Sequence, residues 1–293
     1  MPGQSPSASG SADSGFRLAA ARWPEVEAGT RRVLVVPVGS LEQHGAHLPL
    51  DTDTRIAVAV AERACAGRAG AGLAPAIAIG ASGEHADFPG TLSIGHVALS
   101  TLLVELGRHA SLHWPALLLV NGHGGNVAAA NDALAKLRAE GRDCHVWHAG
   151  VRPSMLAAAG LSLVPDAHAG RVETSVMLAL APEDVRLDAA EPGETRPLPE
   201  IMAGLRVGGV RQVSPNGVLG DPAGASAAEG ETLLALLVTD LAAVLDRLTS
   251  PTADLAGPAV RGCRKWPGRS QAGRLAWWTA GRPRAAARAG SGA

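Results

Sequence analysis

The chain of 293 residues has no tyrosine, two phenylalanines and three cysteines, and its charges nearly cancel to a formal net charge of -1. So small a net charge gives the molecule no long-range attraction for nucleic acid or an anionic membrane. The cysteines are Cys65, Cys144 and Cys263. Because they are widely spaced and form no CxxC pair, the sequence predicts neither a disulfide framework nor a thiolate zinc site, and a reducing compartment fits best.

Long apolar segments are also missing. No uninterrupted apolar run reaches about 18 residues, the rough length of a membrane span. The first fifteen residues, MPGQSPSASGSADSG, lack the basic start and the apolar stretch of a secretory signal. We therefore expect a soluble, cytoplasmic protein.

Composition divides the chain into three parts. The Ser/Gly/Pro-rich residues 1–15 are expected to be disordered, and residues 16–249 to form one domain. Residues 250–293 are expected to form a basic, poorly ordered tail, since 251–293 hold seven Arg and one Lys against one Asp. The alternative for this tail is RNA or membrane binding. Nucleic-acid binding predicts an affinity that falls steeply with salt and disappears when 251–293 are deleted.

Short apolar runs alternate with segments of helical periodicity. The predicted strands cover 33–38, 73–79, 116–120 and 144–148, and the predicted helices cover 54–67, 98–113, 127–140, 172–180 and 227–249. This alternation predicts an α/β fold with a mostly parallel sheet covered on both faces. Ligands of such folds gather at the carboxyl ends of the strands, where the His-rich loops of this sequence lie. The segment between 180 and 215 is expected to be a Pro-rich connection.

Metal-ligand side chains follow these strand ends. Glu42 and His44 are two residues apart, so an extended backbone points both side chains the same way. Asp53 follows on the exit from that loop, and a carboxylate there can bridge two divalent ions through its two oxygens. His123 lies in NGHGGN, whose glycines let the backbone turn sharply. Each fragment alone is a weak signal, but together they predict a metal centre.

The segment DAHAGRVETS adds two candidates. Glu173 is expected in the first turn of a helix, either as a metal ligand or as an ordinary acidic residue near a helix N-terminus. His168 is expected on the preceding loop, either as a proton donor or as a histidine hydrogen-bonded to Asp166. His47 is a candidate for orienting the ligands. The other histidines are expected on helix surfaces or at strand ends.

The segments LEQHGAHLPLDTDTRIA, NGHGGN and DAHAGRVETS closely resemble the three signatures of the creatininase family of metal-dependent amidohydrolases, over roughly residues 30–249. The resemblance implies a three-layer α/β/α fold, a homo-oligomer and a binuclear site. The ligands it implies are Glu42, His44, Asp53, His123 and Glu173. Zinc, iron(II) and manganese all suit such a ligand set. Gly125 departs from creatininase itself, which has a carboxylate there, and this argues against creatinine hydrolysis and gives Glu173 more weight.

Two further segments, GASGEHADFPGTLSIG at 80–95 and SPNGVLGDP at 214–222, look most like the peptidase branch of the mycofactocin system. This resemblance implies a modified ribosomal precursor peptide as the substrate, cut to release its altered C-terminal Val-Tyr dipeptide. The alternatives are hydrolysis of a small cyclic amide or formamide, and a non-catalytic scaffold that binds metal.

The mechanistic hypothesis assigns a role to each candidate. Asp53 bridges two divalent ions that activate a water molecule for attack on the amide carbonyl. His168 protonates the departing nitrogen, and Glu173 is counted both as a ligand and as a catalytic residue. The substrate pocket is expected to be walled by Glu84, His85 and Phe88, although Phe88 could equally be core packing.

Overall fold

The computed structural model of the chain describes residues 15–163 and 165–250. The strands are β1 (Phe16–Arg17), β2 (Val33–Val38), β3 (Ala71–Leu73), β4 (Ala116–Asn121) and β5 (Asp143–His148). The helices are α1 (Trp23–Glu27), α2 (Thr52–Cys65), α3 (Gly95–Ala110), α4 (Val127–Ala139), α5 (Pro153–Ala158), α6 (Arg171–Leu180), α7 (Leu198–Val213) and α8 (Ala227–Thr249). The predicted tail over 251–293 and residues 1–14 lie outside the described residues, so both extensions stay predictions.

The five strands form one sheet in the order β1-β3-β2-β4-β5, and every neighbouring pair is parallel. The central pair runs from Val33 beside Ala116 to Val38 beside Asn121, so β2 and β4 end at the same edge of the sheet. All residues of both strands are buried, as expected for strands covered on both faces. The predicted parallel α/β fold is confirmed.

Alternate residues of the central strands feed two separate cores. Val33 and Val35 pack with apolar side chains of α2, α6 and α8, whereas Leu34 and Val36 pack with those of α3 and α4. The sheet therefore lies between two helical layers, which confirms the predicted three-layer arrangement. In the layer that contains α2, α6 and α8, helices α6 and α8 pack closely. A β-carbon on Gly230 would lie 1.9 Å from the backbone oxygen of Ser175.

Two predicted segments were wrong. The strand predicted at 73–79 ends at Leu73, and beyond it Ile77 makes only an isolated bridge with Val38. Pro75 has no N–H to donate to a ladder, which explains the early end. The connection predicted between 180 and 215 contains α7, whose helical pattern is interrupted by Gly209 at φ 67°. Proline in the first turn of α7 is compatible with a helix start, because that position needs no N–H partner.

The described residues were also searched for membrane spans. None of the helices within 15–163 and 165–250 is long and apolar enough to cross a bilayer. Cys65 and Cys144 are both buried free thiols. Burial raises the pKa of Cys65 to about 12 and that of Cys144 to about 11, so both thiols stay protonated and unreactive at neutral pH.

Candidate metal centre

The loops that follow β2 and β4 meet above the edge where these strands end. The first loop carries Glu42, whose side chain is 0% exposed, and the second carries His123. His123 Nε2 lies 3.0 Å from Glu42 Oε2. Neither carboxylate oxygen of Glu42 has a hydrogen-bond partner among the described residues. Because a buried carboxylate normally has partners, these two oxygens indicate that a cation binds here.

Asp53, in the first turn of α2, faces two histidines at once. Its Oδ1 lies 3.2 Å from His44 Nε2, and its Oδ2 lies 3.2 Å from His123 Nδ1. Ser40 Oγ donates a hydrogen bond of 2.7 Å to Oδ2 and holds the carboxylate in this orientation. Each oxygen therefore points to a different imidazole, which is the arrangement that a bridging carboxylate requires.

A backbone carbonyl sets the tautomer of His44. Its Nδ1 lies 3.0 Å from the carbonyl oxygen of Glu42, which can only accept, so in the neutral ring Nδ1 carries the proton. Nε2 then presents its lone pair to the site, where Asp53 lies at 3.2 Å and Glu173 Oε2 at 3.9 Å. Histidines that bind metal commonly donate their other N–H in this way.

Glu173 reaches the same place from the first turn of α6. Its Oε2 accepts a 2.6 Å hydrogen bond from the backbone N–H of Ala169. Ala169 has φ 52°, a left-handed conformation that alanine rarely adopts, and such strain is typical of functional sites. The strained residue directly follows His168, so the turn that positions Glu173 also positions that histidine.

His168 is held by the loop that carries the ligands. Its Nε2 lies 2.8 Å from the carbonyl oxygen of Gln43, so Nε2 carries the proton and Nδ1 keeps its lone pair. Nδ1 is 3.8 Å from Glu42 Oε1, and the ring lies 4.3 Å from that of His44 between centroids. The hydrogen bond to Asp166 considered above is not formed, because Asp166 accepts instead from the backbone N–H of Val172.

The site divides its histidines into two electrostatic classes. Burial opposes the charge on His44, but the neighbouring Asp53 outweighs it and raises the pKa of His44 to about 10. Glu42 and Asp53 likewise raise the pKa of His123 against the effect of burial. Burial and then the charge of His44 lower the pKa of His168 to about 4. Two positive charges thus compensate the buried carboxylates, and divalent cations would replace those protons.

Metal-ligand atoms converge in three groups within the part of the chain that the structure describes. The groups are Glu42, Asp53 and His123; His44, His168 and Glu173; and Glu42, His85 and His168. In each group the ligand atoms lie within 4.8 Å of one another. The first two groups contain all five ligands predicted from the sequence. Their oxygen and imidazole nitrogen atoms suit zinc, iron(II) and manganese.

The three residues predicted to wall a pocket occupy different surroundings. His85 is buried, with Nε2 at 3.3 Å from Glu42 Oε1, and Glu84 Oε1 lies 3.4 Å from His123 Nε2. Phe88 packs against a small core around Ile201, and the Arg211 guanidinium lies 4.9 Å from its ring centre. The substrate-binding roles of all three stay predictions.

Sequence reasoning missed two polar residues that organise the site. Gln43 Nε2 lies 2.8 Å from His85 Nδ1 and donates to the carbonyl oxygen of Gly217 at 3.0 Å. Gln43 lies between Glu42 and His44 in the sequence, which could have indicated a role in the site. However, side chains alternate along an extended chain, so the Gln43 side chain was expected to point away from those of its two neighbours. Ser40 gave no signal, because a serine after a strand has many possible roles.

The chain is similar in sequence to a family model and to known proteins. A family model described as creatininase, creatinine amidohydrolase, matches residues 19–245. The mycofactocin precursor peptide peptidase of Mycolicibacterium smegmatis is 52% identical over 215 residues, which cover 72% of this chain and 83% of that protein. The creatinine amidohydrolase of Pseudomonas putida is 33% identical over 261 residues, 78% of this chain and 96% of that protein.

Solved structures of creatininase are similar to this chain in fold. A manganese form of creatininase superposes with a TM-score of 0.66 at 28% identity, covering 81% of this chain and 100% of that one. A mutant creatininase of the Zn-Zn type also has a TM-score of 0.66 at 28% identity, with coverages of 81% and 99%.

Proposed function

This chain belongs to the creatininase family, and on that premise we propose that it is a metal-dependent peptidase that cleaves the mycofactocin precursor peptide. The observation that supports metal dependence most strongly is Asp53, with one oxygen facing His44 and the other facing His123. The peptide substrate is supported by the 52% identity to a relative named for that activity. As the resemblance implies, the proposed product is the altered C-terminal Val-Tyr dipeptide of the modified peptide.

The site would hold two divalent ions. Glu42, Asp53 and His123 would hold one, and His44, Asp53 and Glu173 the other, with Asp53 shared. When bound, such ions supply Lewis acidity towards an amide carbonyl and lower the pKa of water towards ~7. Zinc, iron(II) and manganese remain the proposed identities.

His168 would move the proton that amide cleavage requires. Its pKa of about 4 leaves the ring neutral at pH 7, so Nδ1 can first accept a proton from the attacking water. The resulting imidazolium is a strong acid and would then protonate the departing nitrogen, which leaves poorly as an anion. General acid-base help of this kind is worth about 10²–10⁴-fold in rate.

A second candidate is hydrolysis of a small cyclic amide or formamide at the same centre. It is favoured by the 33% identity to a creatinine amidohydrolase, 96% of whose length is matched. A non-catalytic scaffold that binds metal is less well supported, because the family model and the 52% identical relative are both named for hydrolases.

Product analysis separates these candidates. Metal-loaded protein is incubated in parallel with the modified precursor peptide, creatinine and formamides, and the products are identified by mass spectrometry. We expect cleavage of the peptide alone. Creatinine or formamide turnover without peptide cleavage would contradict the proposed substrate.

Two histidine variants test the site itself. His44→Ala should abolish turnover with little loss of folding, because His44 is an ion ligand in the proposed site. His145→Ala is the matched control, since His145 pairs with Asp143 on β5 and should leave turnover unchanged. Full activity of His44→Ala would contradict the ligand assignment. The expected homo-oligomer stays a prediction, to be checked by light scattering.

A further inference from the structure

The side-chain amide of Gln43 is fixed by two main-chain groups. Its Oε1 accepts a 2.8 Å hydrogen bond from the backbone N–H of Gly45, and its Nε2 donates to the carbonyl oxygen of Gly217 at 3.0 Å. Turning the amide over would set oxygen against oxygen and N–H against N–H, so these partners fix its orientation. Gly217 has φ 84°, and a β-carbon there would lie 2.0 Å from Gln43 Oε1, so glycine at 217 leaves room for the amide.

The second hydrogen of this amide decides which nitrogen of His85 carries a proton. Gln43 Nε2 lies 2.8 Å from His85 Nδ1 and 3.1 Å from His168 Nε2. His168 Nε2 does not accept, because it carries the proton that it donates to the main-chain carbonyl of Gln43 at 2.8 Å. The amide therefore donates to His85 Nδ1, and the proton of the His85 ring lies on Nε2.

His85 thus presents an N–H group to the metal centre. Its side chain is 4% exposed, and Nε2 lies 3.3 Å from Glu42 Oε1. That oxygen accepts no hydrogen bond of normal geometry, so the N–H stays available within the part of the chain that the structure describes. Leaving a buried donor unpaired costs free energy, which indicates that a bound molecule supplies the acceptor.

A lone pair lies beside this N–H. His168 Nδ1 keeps its lone pair and lies 3.8 Å from the same oxygen of Glu42. The two imidazoles, with ring centres 4.5 Å apart, therefore offer a donor and an acceptor next to one carboxylate oxygen. Glu42, His85 and His168 converge closely enough for a third ion site. However, an ion on His85 Nε2 would require the proton to lie on Nδ1, where the Gln43 amide already donates.

From these contacts we propose that Gln43 holds His85 as a hydrogen-bond donor to the substrate, and that His85 is not a metal ligand. The acceptor is the carbonyl oxygen of the scissile amide, on which negative charge develops when water attacks. The N–H of His85 stabilises that charge while the neighbouring His168 moves the proton. The catalytic role rests on the proposed amide hydrolysis, whereas the position of the proton on His85 does not.

The first test locates the proton on His85 without turnover. Full-length protein labelled with ¹⁵N-histidine is studied by NMR in chelator and loaded with Zn²⁺, and the signals of His85 are identified by their loss in His85→Gln. We expect Nε2 to be protonated and Nδ1 unprotonated in the wild type. In Gln43→Glu the carboxylate only accepts, so Nδ1 should become protonated. A wild-type ring protonated on Nδ1, or a ring unchanged in Gln43→Glu, would overturn the proposal.

The second test asks whether His85 holds an ion. Zn²⁺ is titrated by calorimetry into chelator-stripped wild type, His85→Gln, His85→Phe and the control His109→Phe, with circular dichroism as the check of folding. His109 is exposed near the end of α3. Their affinities should differ by less than about tenfold, because removing even an outer partner of a metal ligand usually costs that much or more. A larger loss in a folded His85 variant would overturn the proposal.

The third test separates the N–H of His85 from its shape. His85→Phe keeps a ring without a donor, whereas His85→Gln places an amide N–H as far along the side chain as Nε2. With the precursor peptide, His85→Phe should lose about 10²–10³-fold in kcat with little change in KM, as when one donor to a developing oxyanion is removed. His85→Gln should recover at least about tenfold of that loss, and His109→Phe should equal wild type.

Two kinetic results would overturn the proposal. They are equal losses of kcat in His85→Phe and His85→Gln, and a wild-type kcat in His85→Phe. His85→Leu replaces His85→Phe if the latter does not fold. Wild type that cleaves no peptide would instead contradict the proposed function, while the NMR spectra and the Zn²⁺ titrations would still test the assignment of His85.

Discussion

Replacing Glu42 by glutamine should stabilise the metal-free protein and weaken its response to metal. The wild-type carboxylate is fully buried, and neither oxygen accepts a hydrogen bond of normal geometry from the described residues, although His123 Nε2 lies 3.0 Å from Oε2. A buried polar group without partners costs ~1–3 kcal/mol, and an amide removes the charge without changing the shape. At about 2 kcal/mol, and 2–4 °C per kcal/mol for a domain of this size, Glu42→Gln should melt ~4–8 °C above wild type in chelator.

Bound metal should stabilise the wild type more than it stabilises Glu42→Gln. A free ion concentration about 1,000 times its Kd stabilises the folded protein by ~4 kcal/mol, or ~8–16 °C in Tm. If loss of the carboxylate weakens binding about 100-fold, the same concentration stabilises the variant by only ~1.4 kcal/mol, or ~3–6 °C. The metal-induced shift in Tm should therefore be less than half that of wild type.

The same substitution predicts a pH dependence. Burial and then the charge of Asp53 raise the pKa of Glu42 above its usual 4.5. The wild-type protein is therefore most stable at low pH, where Glu42 is protonated, and it loses this stability as the pH rises through the pKa of Glu42 in the folded state. Urea unfolding in chelator should show a wider gap between variant and wild type at pH 8 than at pH 5. Glu183→Gln, an exposed control, should stay within about 0.5 kcal/mol of wild type. A less stable Glu42→Gln at pH 8 would refute the reasoning.

Three further predictions use other parts of the structure. Because the pKa of His44 is about 10 in the metal-free site, Zn²⁺ binding at pH 7.5 should release protons and should become tighter as the pH rises. Calorimetry in buffers of different ionisation enthalpy measures the number of protons released, and a value of zero would contradict this prediction. Ser226→Ala should cost ~1 kcal/mol and lower Tm by ~2–4 °C without affecting turnover, since the Ser226 hydroxyl caps α8. Gly230→Ala should cost ~3 kcal/mol because its β-carbon would meet the backbone of Ser175 at 1.9 Å, whereas Gly150→Ala, with open space around it, should change Tm little; equal melting of the two would refute the close packing of α6 and α8.

The part of the site that sequence could predict is the part set by parallel topology. Glu42 and His123 each follow a buried apolar strand, and the carboxyl ends of parallel strands meet at one edge whatever the strand order. The order itself, with β2 beside β4, needed the structure. Asp53 was identified by its chemistry, although its place in the first turn of α2 did not distinguish a ligand from an ordinary acidic residue.

Other features depend on contacts between distant segments and left no local signal. The helical pattern of α7 is broken by Gly209, whose left-handed backbone fits against Glu84, 125 residues earlier. Glu173 had two possible roles in the sequence, and its contacts in the structure are compatible with both. Its carboxylate accepts the N–H of Ala169 at the start of α6 and also faces His44 at 3.9 Å. Only the tertiary fold brings this acidic residue of a helix N-terminus to the candidate metal centre.

The tautomers of His44 and His168 follow from two successive carbonyl groups of one loop. The carbonyl oxygen of Glu42 lies 3.0 Å from His44 Nδ1, and that of Gln43 lies 2.8 Å from His168 Nε2. Since carbonyl oxygens only accept, one ring is left with its Nε2 lone pair facing Asp53 and Glu173 and the other with its Nδ1 lone pair available for a proton. Substituting the side chain of Glu42 or Gln43 leaves both carbonyl groups in the chain. The conformation of the Glu42-Gln43-His44 backbone therefore decides which histidine can bind metal through Nε2 and which can transfer a proton through Nδ1.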